Sequence, residues 1–200
     1  MVYWAGWSAI VVAAVLTLLH TVDLLVGPPP KITLQSLRTK PLPALSEDGT
    51  KVYLKGDFDF DLNSDLQTLL KQNAKITTIE LDSSGGLIYA ARALAFTIEK
   101  NQLDTHVERV CNSACTVAYI AGNNRTLGDN GKIGFHQYEF QKQHPLQVKQ
   151  AEDEQEKDRQ YFLGRGVSKA FLETVYRSGH HAIWQPERSV LKHSGVITQD

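Results

Sequence analysis

The sequence VCNSACTVAYIAG, residues 110–122, decides the fold. It places Ser113 where a strand-type run (Thr105 to Val110) meets an apolar run of small residues that is typical of a buried helix. A hydroxyl at a helix N-terminus lies beside unpaired backbone N–H groups and the positive end of the helix dipole. The stretch is therefore a candidate site for a reaction that passes through an oxyanion, although serine is also a common helix N-cap.

A histidine follows this stretch at the end of a second strand-like segment. The segment Lys132 to Phe135 has turn residues before it, and His136 comes directly after it. A serine needs a base before it can act as a nucleophile, and an imidazole brought next to Ser113 would supply one. The alternative is that His136 is an ordinary hydrogen-bonded histidine.

Upstream, a strand runs into a pair of glycines. The segment Ile76 to Leu81 predicts a strand, Ser83-Ser84-Gly85-Gly86 predicts a turn, and Leu87 to Lys100 predicts a helix. Adjacent glycines let a backbone approach a ligand closely and point N–H groups at it. The alternative is a simple turn between a strand and a helix.

Together, these three motifs resemble the Clp protease proteolytic subunit and its relatives in the crotonase-like superfamily. The matching residues are Ser83-Ser84-Gly85-Gly86, the CNSAC run around Ser113, and Gly134-Phe135-His136-Gln137. The resemblance covers about residues 50 to 198 and is strongest to membrane-associated or periplasmic bacterial relatives. It implies an α/β crotonase-like domain built from ββα-type units.

The resemblance also implies roles for individual residues. Ser113 corresponds to the nucleophile and His136 to the general base, while the backbone N–H groups of Gly86 and Ala114 correspond to the oxyanion hole. Ser84 stands where the family usually has proline, which loosens the turn without removing its glycines.

The family's third catalytic residue has no clear counterpart. It is usually an aspartate just before a Pro-Glu element, which here resembles residues 184–197, and no acid occurs at positions 180–183. Such a carboxylate holds the imidazole tautomer and stabilises the imidazolium. Either His181, Glu187 or a backbone carbonyl orients His136, or the enzyme is a slow dyad, or the chain is not an enzyme.

Two cysteines, Cys111 and Cys115, flank the serine. They are either buried free thiols or a disulfide, which would require Cys111 to lie outside the regular helix. A thiol nucleophile, and a zinc site with His180 or His181, are further alternatives. The sequence otherwise calls for no metal and no cofactor.

Composition excludes few functions. The 200 residues suffice for one domain plus an appendage. Lys and Arg number 21 against 22 Asp and Glu, giving a net charge of −1, so nothing indicates a nucleic-acid partner.

The N-terminal part of the chain predicts a membrane anchor. Residues 1–27 hold about 20 apolar residues with Trp4 and Trp7 placed as an interfacial belt, which is typical of one transmembrane helix. Residues 28–48 predict a proline-rich linker, and residues 49–200 the Clp protease-like domain. Lysines and arginines after the anchor favour a domain in the cytoplasm. The resemblance and the cysteines instead favour a domain in the periplasm, tethered to a bacterial inner membrane, and we adopt this expectation.

The remaining segments complete an alternating strand and helix pattern. Strand Lys51 to Gly56, helix Asp65 to Asn73 and helix Val167 to Arg177 surround the motifs, and together they predict a mostly parallel sheet. Residues 147–160 predict a solvated, charge-rich helix. The aspartates between 57 and 65 lack the glycine and glutamate of a calcium loop, and indicate a turn plus a helix cap.

The function we expect is that of a membrane-anchored serine hydrolase, a peptidase whose substrate lies extended beside Gly85-Gly86. The resemblance further implies a homo-oligomer. Two alternatives stay open. One is a catalytically silent binding or scaffolding domain, and the other is a crotonase-type acyl-CoA enzyme.

Overall fold

A five-stranded sheet carries the domain in the computed structural model, which describes residues 43–138, 145–177 and 182–199. The predicted anchor, residues 1–27, lies outside the described residues, as does most of the predicted linker. In the described ranges, no helix combines the length and the apolar character that crossing a membrane requires.

The main sheet has the order β1-β2-β3-β4-β6. The short β1 is antiparallel to β2, and the pairs β2 with β3, β3 with β4 and β4 with β6 are parallel, which confirms the predicted mixed α/β fold. The sheet starts inside the predicted linker, because β1 already pairs with β2. The strands are β1 (Ala44–Leu45), β2 (Lys51–Lys55), β3 (Thr78–Asp82), β4 (Asp104–Val107) and β6 (Arg125–Leu127).

A second, smaller sheet is made of β5 (Val110–Asn112) and β7 (Lys132–Gly134), which are parallel. The predicted single strand from Thr105 to Val110 is in fact divided, because the chain leaves the main sheet after Val107 and enters the small sheet at Val110. Ser83, just past β3, bridges Cys111 of β5. The small sheet is therefore joined to the end of β3.

The helices lie between these strands and after them. The first starts at Phe60 rather than at Asp65, because the side chain of Asp59 accepts a hydrogen bond from the N–H of Leu62, 3.1 Å away. This confirms that the aspartate cluster supplies a helix cap. The helices are α1 (Phe60–Gln72), α2 (Ile88–Lys100), α3 (Cys115–Ile120), α4 (Pro145–Gly164), α5 (Lys169–Val175) and α6 (Arg188–His193).

The hydrophobic core follows the alternation of the central strands. Val52 and Leu54 of β2, and Ile79 and Leu81 of β3, are fully buried. Alternate residues of a strand point to the same face, so each strand contributes every second side chain to one layer of the core. Among the helices, α2 contributes a buried face that includes Leu94 and Ile98.

The sequence predicts that the charge-rich helix α4 is solvated, but two of its acidic side chains are buried. Asp158 is only 2% exposed and Glu154 only 7%. Both accept hydrogen bonds from the guanidinium of Arg92 on α2. The prediction is confirmed for Glu152, Asp153, Glu156 and Lys157, which are exposed. It is wrong for Glu154 and Asp158, because a cation on another helix compensates these carboxylates and makes their burial tolerable.

A buried arginine holds the C-terminal part of the domain. Arg125 of β6 is 3% exposed, and burial lowers its pKa. Its guanidinium donates to the backbone carbonyls of Ile120, Gly122, Arg165, Gly195 and Val196. At the backbone, the N–H of Thr198 donates to the carbonyl of Arg125, 3.0 Å away, so residues after α6 cover the outer side of β6.

Replacing this arginine should destabilise the domain. We expect Arg125→Met to lower the free energy of unfolding by about 2 to 4 kcal/mol, because it leaves several buried carbonyls without a donor. Urea unfolding of the full-length chain measures the difference. As a control, Arg159→Met removes only an exposed ion pair with Glu156 and should leave the midpoint unchanged. Equal midpoints for both variants would contradict the role assigned to Arg125.

Candidate active site

Ser113 occupies a strained elbow between β5 and α3. Its φ of 56° is unusual for a residue other than glycine. The elbow is fixed on both sides, because the N–H of Ser113 donates to the carbonyl of Gly134 at 2.9 Å and the N–H of Thr116 donates to the carbonyl of Ser113 at 3.0 Å. Ala114, not Ser113, holds the N-cap position of α3. Strain of this kind is found most often at functional sites.

A disulfide closes the elbow. Cys111 lies in β5 and Cys115 is the first residue of α3, and their Cα atoms are 5.3 Å apart. Cys111 is therefore outside the helix, as a bond at this spacing requires. Because both sulfurs are bonded to each other, neither cysteine is a thiol nucleophile or a zinc ligand in this structure.

His136 reaches the serine from the end of β7. Its Nε2 atom lies 2.6 Å from Oγ of Ser113. The preceding residue, Phe135, forms an antiparallel bridge with Trp184, with two N–H to carbonyl bonds of 2.8 Å. The backbone that leads into His136 is therefore held twice, at Phe135 by the pairing with Trp184 and at Gly134 by the N–H of Ser113.

The hydrogen bonds of His136 define its tautomer. Nδ1 lies 2.6 Å from the backbone carbonyl oxygen of Gln137, which can only accept. The neutral imidazole therefore carries its proton on Nδ1, and Nε2 accepts the proton of the Ser113 hydroxyl. A serine and a histidine arranged in this way form an activated nucleophile and its base.

Of the candidates for the third catalytic residue, only a backbone carbonyl bonds to His136 in the described part of the chain. His181 lies outside the described residues. Glu187 is the N-cap of α6, where its carbonyl accepts from the N–H of Val190 and Leu191, and it does not bond to His136. In residues 43–138, 145–177 and 182–199, no carboxylate contacts the imidazole. The backbone carbonyl of Gln137 occupies the position that an acid would take.

The glycine turn is held open by two neighbours. Gly85 and Gly86 have φ values of 121° and 130°, which side chains disfavour. The Ser83 hydroxyl accepts from the N–H of Gly85 at 3.0 Å, and so replaces some of the rigidity that a proline at Ser84 would give. On the other side, Phe58 pairs with Gly86 as in a parallel sheet. Pairing in that register turns the N–H of Gly86 away from Phe58.

The glycine turn touches the elbow. A Cβ atom added to Gly85 would lie 2.9 Å from Cβ of Ser113 and 3.3 Å from the backbone N of Ala114. Among the described residues, the N–H groups of Gly86 and Ala114 donate to no acceptor. Two unpaired backbone donors therefore lie on the segments that meet at Ser113.

A narrow, mostly apolar cleft opens beside the serine, between α3, β7 and the helices α4 and α5. The side chains that line the cleft with Ser113 and His136 are Thr116, Phe135, Tyr138, Phe162, Val175 and Tyr176.

In the described part of the chain, no cluster of His, Cys, Asp or Glu side chains is suited to hold a metal ion.

The sequence motifs include Asn112 and Gln137 without assigning them a role, and they do not include Tyr138. Asn112 accepts a hydrogen bond from the side-chain amide of Gln185 at 3.1 Å, next to the elbow. Gln137 and Tyr138, directly after His136, contact α4 and the residue after α5. Their position after the histidine was the available signal, but their partners are distant in sequence.

Comparisons with known proteins support the fold. No protein-family model and no curated protein sequence matches the chain. Solved structures do match. A single-substitution mutant of ClpP1 from Listeria monocytogenes has a TM-score of 0.64 and 18% identity, covering 75% of this chain and 90% of that chain. ClpP1 from the same organism has a TM-score of 0.57 and 18% identity, covering 74% and 88%. This chain therefore has a Clp protease-like fold.

Proposed function

We propose that this chain is a serine hydrolase, and most specifically a peptidase, in which Ser113 is the nucleophile and His136 the general base. The observation that carries the proposal is the 2.6 Å contact between Oγ of Ser113 and Nε2 of His136. In the reaction, Nε2 takes the hydroxyl proton as Oγ attacks a carbonyl carbon, and the imidazolium then protonates the leaving amine. Water hydrolyses the acyl-enzyme by the same steps.

The oxyanion of the tetrahedral intermediate is assigned to the N–H groups of Gly86 and Ala114. Both are unpaired among the described residues, and Gly85 brings their two segments into contact. Donors that are already oriented stabilise the developing charge without reorganisation, and each contributes about 10²-fold to 10³-fold in rate.

The substrate class we propose is an extended peptide or protein segment. The N–H and carbonyl groups of Gly86 face away from Phe58, which leaves one side of this short bridge open to another strand. A peptide paired there would lie beside the elbow.

We also propose that residues 1–27 anchor the chain in a bacterial inner membrane and that the domain lies in the periplasm. The disulfide supports this compartment, since such bonds persist in oxidising environments.

We expect protein taken from cells under alkylating conditions to bind no alkylating reagent at Cys111 or Cys115 until it is reduced. Full alkylation before reduction, measured by intact mass, would contradict the periplasmic assignment.

A homo-oligomer is proposed from the resemblance of the fold to the Clp protease proteolytic subunit. Light scattering of the purified chain tests it, because a mass equal to one chain would contradict it.

The first test of the catalytic proposal uses a fluorophosphonate probe, which reacts with activated serines. We expect intact-mass analysis of the full-length chain to show one adduct, and the adduct to be absent in Ser113→Ala and His136→Ala. The absence of any adduct on folded wild-type protein would favour a silent binding domain, the alternative that is motivated by the lack of a carboxylate bonded to His136 among the described residues.

A second test addresses the glycine turn. Gly85→Ala should slow labelling by at least about tenfold, because the new Cβ would displace the Ser113 elbow and the backbone N–H of Ala114. Gly49→Ala is the matched control, since Gly49 also has a positive φ, of 74°, but its added Cβ has open space. Similar labelling rates in both variants would show that the glycine turn is not part of the active site.

A further inference from the structure

The carbonyl of Gln137 is the only described partner of Nδ1 of His136, and a carbonyl is a weaker orienting group than a carboxylate. Because a carbonyl carries no full charge, its attraction for the N–H of Nδ1 fixes the orientation of the ring less strongly. Its effect on the tautomer and on the ring therefore depends on how firmly the backbone at residues 137–138 is held. The surrounding contacts show what holds it.

Three hydrogen bonds fasten this short segment. The side-chain amide of Gln137 donates to the carbonyl of Tyr176. The backbone N–H of Tyr138 donates to Oε1 of Gln155 on α4 at 3.0 Å. The hydroxyl of Tyr138 donates to the carboxylate of Asp158, also on α4. Burial raises the pKa of Tyr138, so its hydroxyl keeps the proton that it donates.

Asp158 is in turn fixed by Arg92. The guanidinium makes two parallel bonds to the carboxylate, from Nε at 2.8 Å and from the second terminal nitrogen at 2.9 Å. Paired bonds of this type fix orientation as well as distance. Burial opposes the charge of Arg92, but the bonds to Asp158 and Glu154 outweigh it and raise the pKa of the guanidinium.

The position of Arg92 gives this chain of contacts a functional meaning. Arg92 lies on α2, and α2 begins at Ile88, directly after the glycine turn. The network Arg92, Asp158 and Tyr138 therefore connects the helix that follows Gly86, one of the two proposed oxyanion donors, to the backbone that orients the base. Neither Arg92 nor Asp158 contacts the serine or the imidazole.

We propose that Arg92, Asp158 and Tyr138 are positioning residues, which hold the carbonyl of Gln137 where it performs the orienting role of the missing catalytic acid. The inference rests on the proposed function, because it assigns a role in the reaction of Ser113. It explains how a Ser-His pair whose Nδ1 bonds to a backbone carbonyl keeps the proton on Nδ1 and the lone pair of Nε2 toward the serine.

The variant Tyr138→Phe tests this with little disturbance, because it removes one hydroxyl and leaves the Arg92 and Asp158 pair intact. We expect the maximal rate of fluorophosphonate labelling to fall about tenfold, while the probe concentration at half-maximal rate stays unchanged. The control is Tyr161→Phe on α4, the helix that carries Asp158. It removes a similar hydroxyl bond to Glu99, 3.0 Å long, that does not lead to His136. It should label like the wild type.

A second readout does not depend on activity. Nitrogen-15 NMR of the imidazoles, assigned with His136→Gln, should show the neutral Nδ1–H tautomer of His136 in the wild type and in Tyr161→Phe. A mixture of tautomers is expected in Tyr138→Phe. If Tyr138→Phe does not fold by circular dichroism, Arg92→Lys takes its place, since lysine keeps the charge but loses the paired bonds to Asp158.

The outcomes separate the two proposals. Wild-type labelling rate and tautomer in Tyr138→Phe would overturn the positioning role and leave the serine hydrolase standing. Equal slowing in Tyr138→Phe and Tyr161→Phe would also overturn it, because it would reflect general loosening of α4. If the wild type does not label at all, the hydrolase proposal fails, and the tautomer measurement alone decides whether the network holds His136.

Discussion

The parallel pairing of β5 with β7 is the interaction on which the site depends. β5 ends at the elbow of Ser113, and β7 ends one residue before Phe135, so pairing these two strands in register brings Ser113 and His136 together from 23 residues apart. The bridge from Ser83 to Cys111 adds the glycine turn to the same edge. A shift of this register by one residue would direct the alternate side chains to the opposite face and separate the pair.

The short helix α3 is secured from its far end. The carbonyls of Ile120, Ala121 and Gly122 accept bonds from the guanidinium groups of Arg125 and Arg165. Helix ends normally leave such carbonyls unpaired, and cations are favourable there. At the opposite end no side chain caps α3, and among the described residues the N–H of Ala114 stays available beside the serine.

Local signals in the sequence predicted the elbow, the glycine turn and the histidine strand, because each is encoded within a few consecutive residues. The mostly parallel sheet followed from the alternation of apolar strands and helices. The disulfide stayed an open alternative, since it depends on whether Cys111 lies in a strand or in a helix. The burial of Asp158 was not predictable, because its partner Arg92 is 66 residues away and no periodic pattern connects them. The same distance hid the hydrogen bonds that hold Gln137 and Tyr138.

The two outer strands of the main sheet are protected from edge-to-edge aggregation in different ways. On one side β1 is only two residues long, which offers little backbone for an incoming strand. On the other side, the N–H groups of Thr198 and Gln199 both donate to the carbonyl of Arg125, so the chain itself covers the outer side of β6. Removing residues 198 and 199 would therefore expose an unpaired strand edge, at which a second copy of the chain could add a strand.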